Sequence, residues 1–197
     1  MSLKPGKNIR LFKNPVLETL TYVHPVMPAM MWIPILIYAF VYGITRDQIG
    51  VSFSFTLAGF GFFIWTLAEY LLHRFIFHYH ASTPFGKRLM YLFHGIHHDD
   101  PEDQRRLLMP PAAAALIALI LYSLFASILG VVNVKPFFSG FLVGYLCYDY
   151  IHFATHFSRF KSGTFLKLKQ NHMKHHFVKP DALYGVSSTF WDKVFRT

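Results

Sequence analysis

The chain has 197 residues, enough for one domain with a sizeable core. It is 53% hydrophobic and 18% aromatic with only 15% charged residues, well below the roughly 25% charged content of a soluble domain, so an ordinary water-soluble fold is excluded. The single cysteine, Cys147, excludes an intramolecular disulfide and a cysteine-based metal knuckle; in its apolar run it reads as a small buried hydrophobe.

In chain order, residues 8–20 interleave basic and apolar positions and form either an interfacial segment or a solvated arm. Four apolar stretches follow, at about residues 25–44, 51–72, 111–132 and 137–153. A helix rises about 1.5 Å per residue and needs roughly 20 apolar residues to cross a hydrocarbon layer about 30 Å thick, so each is a predicted transmembrane helix. The first begins too late, and is too long, for a cleaved signal peptide.

The net charge of +9 is explained by where the charge falls. Seventeen of the nineteen basic residues precede the first stretch, lie between the second and third, or follow the fourth. Only Arg46 and Lys135 occupy the two short opposite loops. This asymmetry predicts cytoplasmic termini and a cytoplasmic 73–110 loop. The positive charge then faces anionic lipid heads, and no nucleic-acid partner is needed.

Ten of the twelve histidines fall in four short windows: His73 and His78; His94, His97 and His98; His152 and His156; His172, His175 and His176. A pair followed by an H-x-x-H-H triplet thus occurs twice. The gaps from His78 to His94 and from His156 to His172 are both sixteen positions. Two crossings separate the halves, so both return to one side of the membrane. Residues three and four apart share a helix face, which lets each half present a group of imidazoles to the other, as in metal-centred bundle cores. His73 and His78 are five apart, about 140° on an ideal helix. Either the helix ends or bulges there, or the two reach different atoms. His24 and His80 read as polar tips at the headgroup level.

Ten neutral imidazoles crowded together without a metal would each need a hydrogen-bond partner. Imidazole suits zinc, copper, iron and nickel, so ligand type leaves the metal open. Ten ligands are too many for one ion and fit two. Asp149 is a candidate for orienting a histidine or contacting substrate, with Tyr148 beside it, and Glu69, one turn before His73, is another orienting carboxylate. Asp99, Asp100, Glu102 and Asp103 read as a solvated acidic loop. An ordinary imidazole pKa near 6.5 predicts that mild acid competes with the metal.

The stretches "EYLLHRFIFH" (69–78), "LFHGIHHDDPEDQRRLLMPP" (92–111), "GYLCYDYIHFATHF" (144–157), "NHMKHHF" (171–177) and "YGVSSTFWDKVFRT" (184–197) resemble the fatty acid 2-hydroxylases of the fatty acid hydroxylase and sterol desaturase superfamily. The resemblance covers most of the chain from Glu69 onward. It implies an all-α integral membrane protein of four transmembrane helices, with a cytosol-facing helical cap holding a histidine-rich dimetal site. It also implies hydroxylation of a lipid acyl chain next to its carbonyl, using dioxygen and two electrons. The implied ligands are His73, His78, His94, His97, His98, His152, His156, His172, His175 and His176. Tyr148 and Asp149 match residues near the substrate. Iron is the implied metal, although zinc can occupy such sites in purified protein. Fused relatives carry a cytochrome b5 module with an H-P-G-G motif that this sequence lacks, so a separate donor of cytochrome b5 or ferredoxin type is expected. The implied location is a bacterial inner membrane or the endoplasmic reticulum. The rival activities are carotenoid, sterol or alkane hydroxylation or desaturation on the same scaffold, and a non-catalytic metal transporter or haem carrier.

Overall fold

A computed structural model describes residues 6, 7 and 9–197. Lys4 of the basic N-terminal group and Asn8, the first residue of the 8–20 segment, lie outside the described residues. No strand occurs among the described residues, and the helices are α1 (Pro15–Thr19), α2 (Met27–Thr45), α3 (Val51–Leu71), α4 (Pro84–Met90), α5 (Ile96–Asp99), α6 (Pro111–Phe157), α7 (Gly163–Phe177) and α8 (Phe190–Phe195). The chain forms two compact units. One comprises Pro25–Leu67 and Pro111–Cys147; the other comprises the segment up to His24, Ala68–Pro110 and Tyr148–Thr197.

The first unit is built from α2, most of α3 and most of α6. Met27–Thr45, Val51–Phe77 and Pro111–Phe157 are long and apolar enough to cross a membrane. Two of the predicted stretches, 111–132 and 137–153, therefore lie within one 47-residue helical run. That run is not straight. Gly130 adopts φ 78° and ψ 157°, a left-handed φ that glycine takes at no steric cost. Tyr122 and Phe138 would be about 24 Å apart along a straight helix, yet their rings lie 5.2 Å apart. The run doubles back at Gly130 into two arms.

An aromatic core fills this unit. Trp65 makes edge contacts with Phe141 at 5.0 Å and Tyr145 at 5.3 Å, and Phe125 meets Phe137 at 4.9 Å. Close helix approach is set by small residues, as is common between membrane helices: a Cβ on Gly140 would collide with the Ala58 backbone. Ile37, Phe53, Phe55, Leu119 and Ile128 point outward, as a lipid-facing surface requires. Cys147 is exposed as well. The expectation of burial fails because an apolar run in a membrane helix need not face the core.

The second unit carries the histidines. Its described N-terminal residues do not form a free arm, since Leu11 and Val23 are buried and the Val23 amide donates to the Arg105 carbonyl at 2.7 Å. Val23 packs with Leu107, Leu108, Phe153 and Phe157. Asn14 caps α1 through the Val16 and Leu17 amides, and Glu18 accepts from the Leu11 and Phe12 amides at 2.9 and 2.8 Å. Arg106 fastens the segment from the other side. Its buried guanidinium donates to Glu18, to the Ile9 carbonyl at 2.5 Å and to the Tyr22 hydroxyl at 3.1 Å, with Asp103 at 3.7 Å.

This network corrects the reading of 99–103 as a solvated loop. Asp99 and Glu102 are exposed, but Asp100 and Asp103 are buried. Asp103 accepts from the Arg105 amide at 3.0 Å, and Asp100 accepts from the Lys7 amide. Each of these carboxylates serves a backbone amide instead of facing water.

Candidate metal centre

The helix carrying His73 changes pitch where the first pair begins. Leu72–Phe77 form a π-helical turn, and the His78 amide donates to the His73 carbonyl five residues back at 3.2 Å. A five-residue hydrogen-bonded repeat places residues i and i+5 on one face. The His73 and His78 rings accordingly lie 5.0 Å apart. Of the alternatives left by the spacing, the bulge is the one adopted. A second π-helical turn, Tyr91–Gly95, leads into the first triplet. The other pair and the other triplet sit on α6 and α7 with ordinary α-helical spacing.

The ten patterned histidines gather into two groups of five. His73, His78, His94, His98 and His175 form one, and His97, His152, His156, His172 and His176 form the other; the ligand atoms within each group all lie within 4.8 Å of one another. The two groups adjoin, with His98 and His176 stacked at 4.3 Å. His80 is largely exposed, 3.8 Å from Asp181, and neither it nor His24 joins a group.

The groups do not follow the halves of the sequence. Each keeps its own pair and the first and last histidines of its own triplet, then takes the middle histidine of the other triplet. On a helix of 3.6 residues per turn, positions i+3 and i+4 point about 100° apart. His94 and His98 thus face one centre while His97 faces the next, and His175 does the converse. Each centre is completed by a residue from the other repeat.

A cation fits both groups on the donor geometry. In the first, Nε2 of His94 lies 3.1 Å from Nε2 of His73 and 3.0 Å from Nε2 of His98, and His175 and His78 approach through Nε2 at 3.0 Å. In the second, the Nε2 approaches are 3.1 Å for His152 and His97, 2.8 Å for His156 and His172, and 3.0 Å for His176 and His172. Two nitrogens each about 2.1 Å from one ion and about 90° apart would be about 3.0 Å from each other. His73 and His175 donate from Nδ1 to backbone carbonyls at 2.6 and 2.7 Å, so their Nε2 atoms carry lone pairs directed inward. Converging lone pairs repel unless a cation lies between them.

Burial keeps the rings outside the apolar spans neutral. It lowers His94, His97 and His172 well below the ordinary imidazole value, with neighbouring imidazoles adding repulsion. It brings His98 down to about 4, His78 to about 3 and His176 to about 2. Neutral imidazole is the form that binds metal.

Glu69 acts differently from the expectation. Buried Glu69 reaches past His73 to accept from the Val186 and Ser187 amides at 2.8 Å each, and from the Ser187 hydroxyl. The acceptors for His73 and His175 are the Tyr184 and Ala182 carbonyls, which sequence reasoning missed. The conspicuous "YGVSS" stretch and Asp192 were the available signal. Tyr148 stands near the second group, its ring 5.6 Å from that of His152, and Asp149 beside it is buried.

The fatty acid hydroxylase family model matches residues 56–197. The chain belongs to the fatty acid hydroxylase family. Among its relatives is the dihydroceramide fatty acyl 2-hydroxylase FAH2 of Arabidopsis thaliana, 36% identical, with 95% of this chain and 79% of the relative aligned. The ceramide very long chain fatty acid hydroxylase scs7 of Schizosaccharomyces pombe is 38% identical over 95% of this chain and 54% of its own length. The chain thus spans about half of that longer protein. The solved structure of full-length scs7p, in which only the hydroxylase domain is visible, superposes with a TM-score of 0.88 at 35% identity. The superposition covers 94% of this chain and 70% of the solved one.

Proposed function

We propose that this chain is a membrane-bound oxygenase that hydroxylates a fatty acyl chain at C2. The observation that carries the reading is the division of ten histidines into two five-nitrogen groups in a member of the fatty acid hydroxylase family. The 2-hydroxylase names of the relatives support the position of attack. The acyl chain is that of a fatty acid or a ceramide-type lipid.

His73, His78, His94, His98 and His175 would hold one ion, and His97, His152, His156, His172 and His176 the other. Bound iron would supply the activation of dioxygen, with two electrons from a donor of cytochrome b5 or ferredoxin type. One oxygen atom enters the C2–H bond, and the other leaves as water with two electrons and two protons. Tyr148 and Asp149 lie within one turn of His152 and orient the acyl carbonyl. Methylenes along a chain differ little in reactivity, so the choice of C2 rests on this positioning.

The segments 25–44, 51–72, 111–132 and 137–153 are read as four crossings, the last two being the arms of α6. The basic residues at both ends of the chain and in 73–110 support a cytoplasmic reading of the termini and histidines. Lipid mass spectrometry of cells producing wild type or His172→Ala tests the whole reading. A gain of one oxygen at C2 that the variant abolishes is expected. Oxygen at another position, or loss of two hydrogens, would favour a different reaction on this scaffold; no new product with wild type would overturn the reading.

A further inference from the structure

Two buried carboxylates close on one short loop. Asp192 accepts from the Tyr184 amide at 2.8 Å and the Gly185 amide at 2.9 Å. Glu69 accepts from the next two amides, those of Val186 and Ser187. Four successive backbone N–H groups are thus held by side chains from two different parts of the chain. Leu183 lies just before them with φ 62°, a left-handed conformation that L side chains adopt only when surroundings enforce it. On either side of it, the Ala182 and Tyr184 carbonyls take the Nδ1 protons of His175 and His73. Both imidazoles belong to the first group of five.

We infer that Glu69 and Asp192 are positioning residues that fix the 182–187 backbone and thereby set the metal affinity of the first histidine group without setting that of the second. The physical route runs through the carbonyls. A carbonyl fixed on Nδ1 selects the tautomer with a free Nε2, fixes the ring plane and raises the basicity of the ligand nitrogen, and losing such a partner costs about 10- to 100-fold in metal affinity. Gly185 reports how tightly the loop is held, because a Cβ there would lie 2.7 Å from the Asp192 carboxylate and collide with the Ser188 carbonyl.

The inference rests on the reading that the ten histidines hold two ions. Its test uses full-length protein in detergent, loaded with Zn²⁺ and dialysed against graded EDTA, with zinc counted by mass spectrometry. Wild type should retain two ions. Asp192→Asn should release one ion at a chelator concentration at least about 10-fold lower, the other being unmoved. Gly185→Ala should do the same by displacing the loop, and it serves if Asp192→Asn does not fold. Val23→Ala, a buried change remote from the loop, should lower thermal stability yet leave both ions at wild-type affinity. In an Asp192→Asn/His78→Ala double variant one ion should remain, whereas Asp192→Asn/His156→Ala should release both. Equal loosening of both ions by Asp192→Asn, no loosening of either, or loss of both from the His78 double variant would overturn the inference. A wild type holding fewer than two ions would instead sink the two-ion reading, and the inference with it.

Discussion

In the first histidine group the Nδ1 atoms of His73 and His175 donate to two carbonyls of one loop, whereas in the second the Nδ1 atoms of His172 and His176 are buried with no hydrogen-bond partner among the described residues. The inward ligand sets are otherwise built to one pattern: a pair, two members of the same triplet and one member of the other. The difference teaches that a repeated motif can produce matched ligands without producing equivalent sites. Outer partners separate the two by their placement, since the second group's His156 bonds the backbone of Pro101 and none of its rings uses the 182–184 loop in the bonds described.

The sharpest way to break the comparison is to remove the histidines that cross between the groups. His175→Ala should cost an ion in the group of His73, and His97→Ala one in the group of His152, although each lies beside ligands of the other centre in sequence. Product formation should fall by more than about 100-fold in either, since loss of an outer partner alone costs about 10- to 100-fold. Combining His97→Ala with His172→Ala should add little, because both strike one centre. Combining His97→Ala with His94→Ala should empty both. Metal content per chain checks all four, and retention of one ion by the His94 combination would refute the crossed assignment.

Next in size is Arg106→Ala. It leaves Glu18 without its cation, while Asp103 keeps Arg105 at 3.2 Å; breaking such a pair costs about 3–5 kcal/mol. Thermal denaturation should show the loss. Chelator titration on the surviving folded protein should show no preference between the groups, because the Arg106 network touches neither of the Nδ1 carbonyls. A selective loss of one ion would tie the N-terminal segment to that centre.

The gathering of the ten histidines was legible in the sequence because a repeated spacing carries the period that brings them together. The π-helical turn was half legible, since a five-residue interval fits no ordinary helix face. The exchange of His97 and His175 was not. Helix geometry says that i+3 and i+4 diverge, but which centre each one reaches depends on how α5 and α7 are set. The YGVSS stretch and Asp192 marked the loop but not the Ala182 and Tyr184 carbonyls themselves, because every residue owns a carbonyl and only folding selects two of them. The turn at Gly130 lay outside the predicted connection because the chain stays helical through Pro136. Burial of Asp100 and Asp103 went unread for a similar reason, namely that acidic spacing carries no record of which amides a carboxylate will cap.

Acid offers a third probe. His98, His78 and His176 bind protons more weakly in the folded chain, at about 4, 3 and 2, than in an unfolded chain, where the value is near 6.5. Below about pH 6.5 the unfolded state therefore takes up protons that the folded state refuses, so stability is complete above that pH and falls as pH drops toward the folded values. Burial moves direct protonation of the folded site down from the 6.5 expected of a free imidazole, lowering His175 and bringing His98 to about 4. The melting temperature of metal-stripped protein should decline steadily from pH 6.5 to 4. A flat profile would mean that these rings are hydrated.

The smallest expected effect isolates the loop from its carboxylate. Ser187→Ala removes the hydroxyl that donates to Glu69 but leaves the Val186 and Ser187 amides on the same carboxylate. The stability loss should be about 1 kcal/mol, the net worth of one hydrogen bond. Because two amides still hold the backbone, the Tyr184 carbonyl should stay on His73, and zinc retention by the first group should shift by less than about 3-fold, below the range for losing an outer partner outright. A shift as large as that of Asp192→Asn would mean that the loop is held by the hydroxyl and not by its four amides, and would move the difference between the two centres from the backbone to a single side chain.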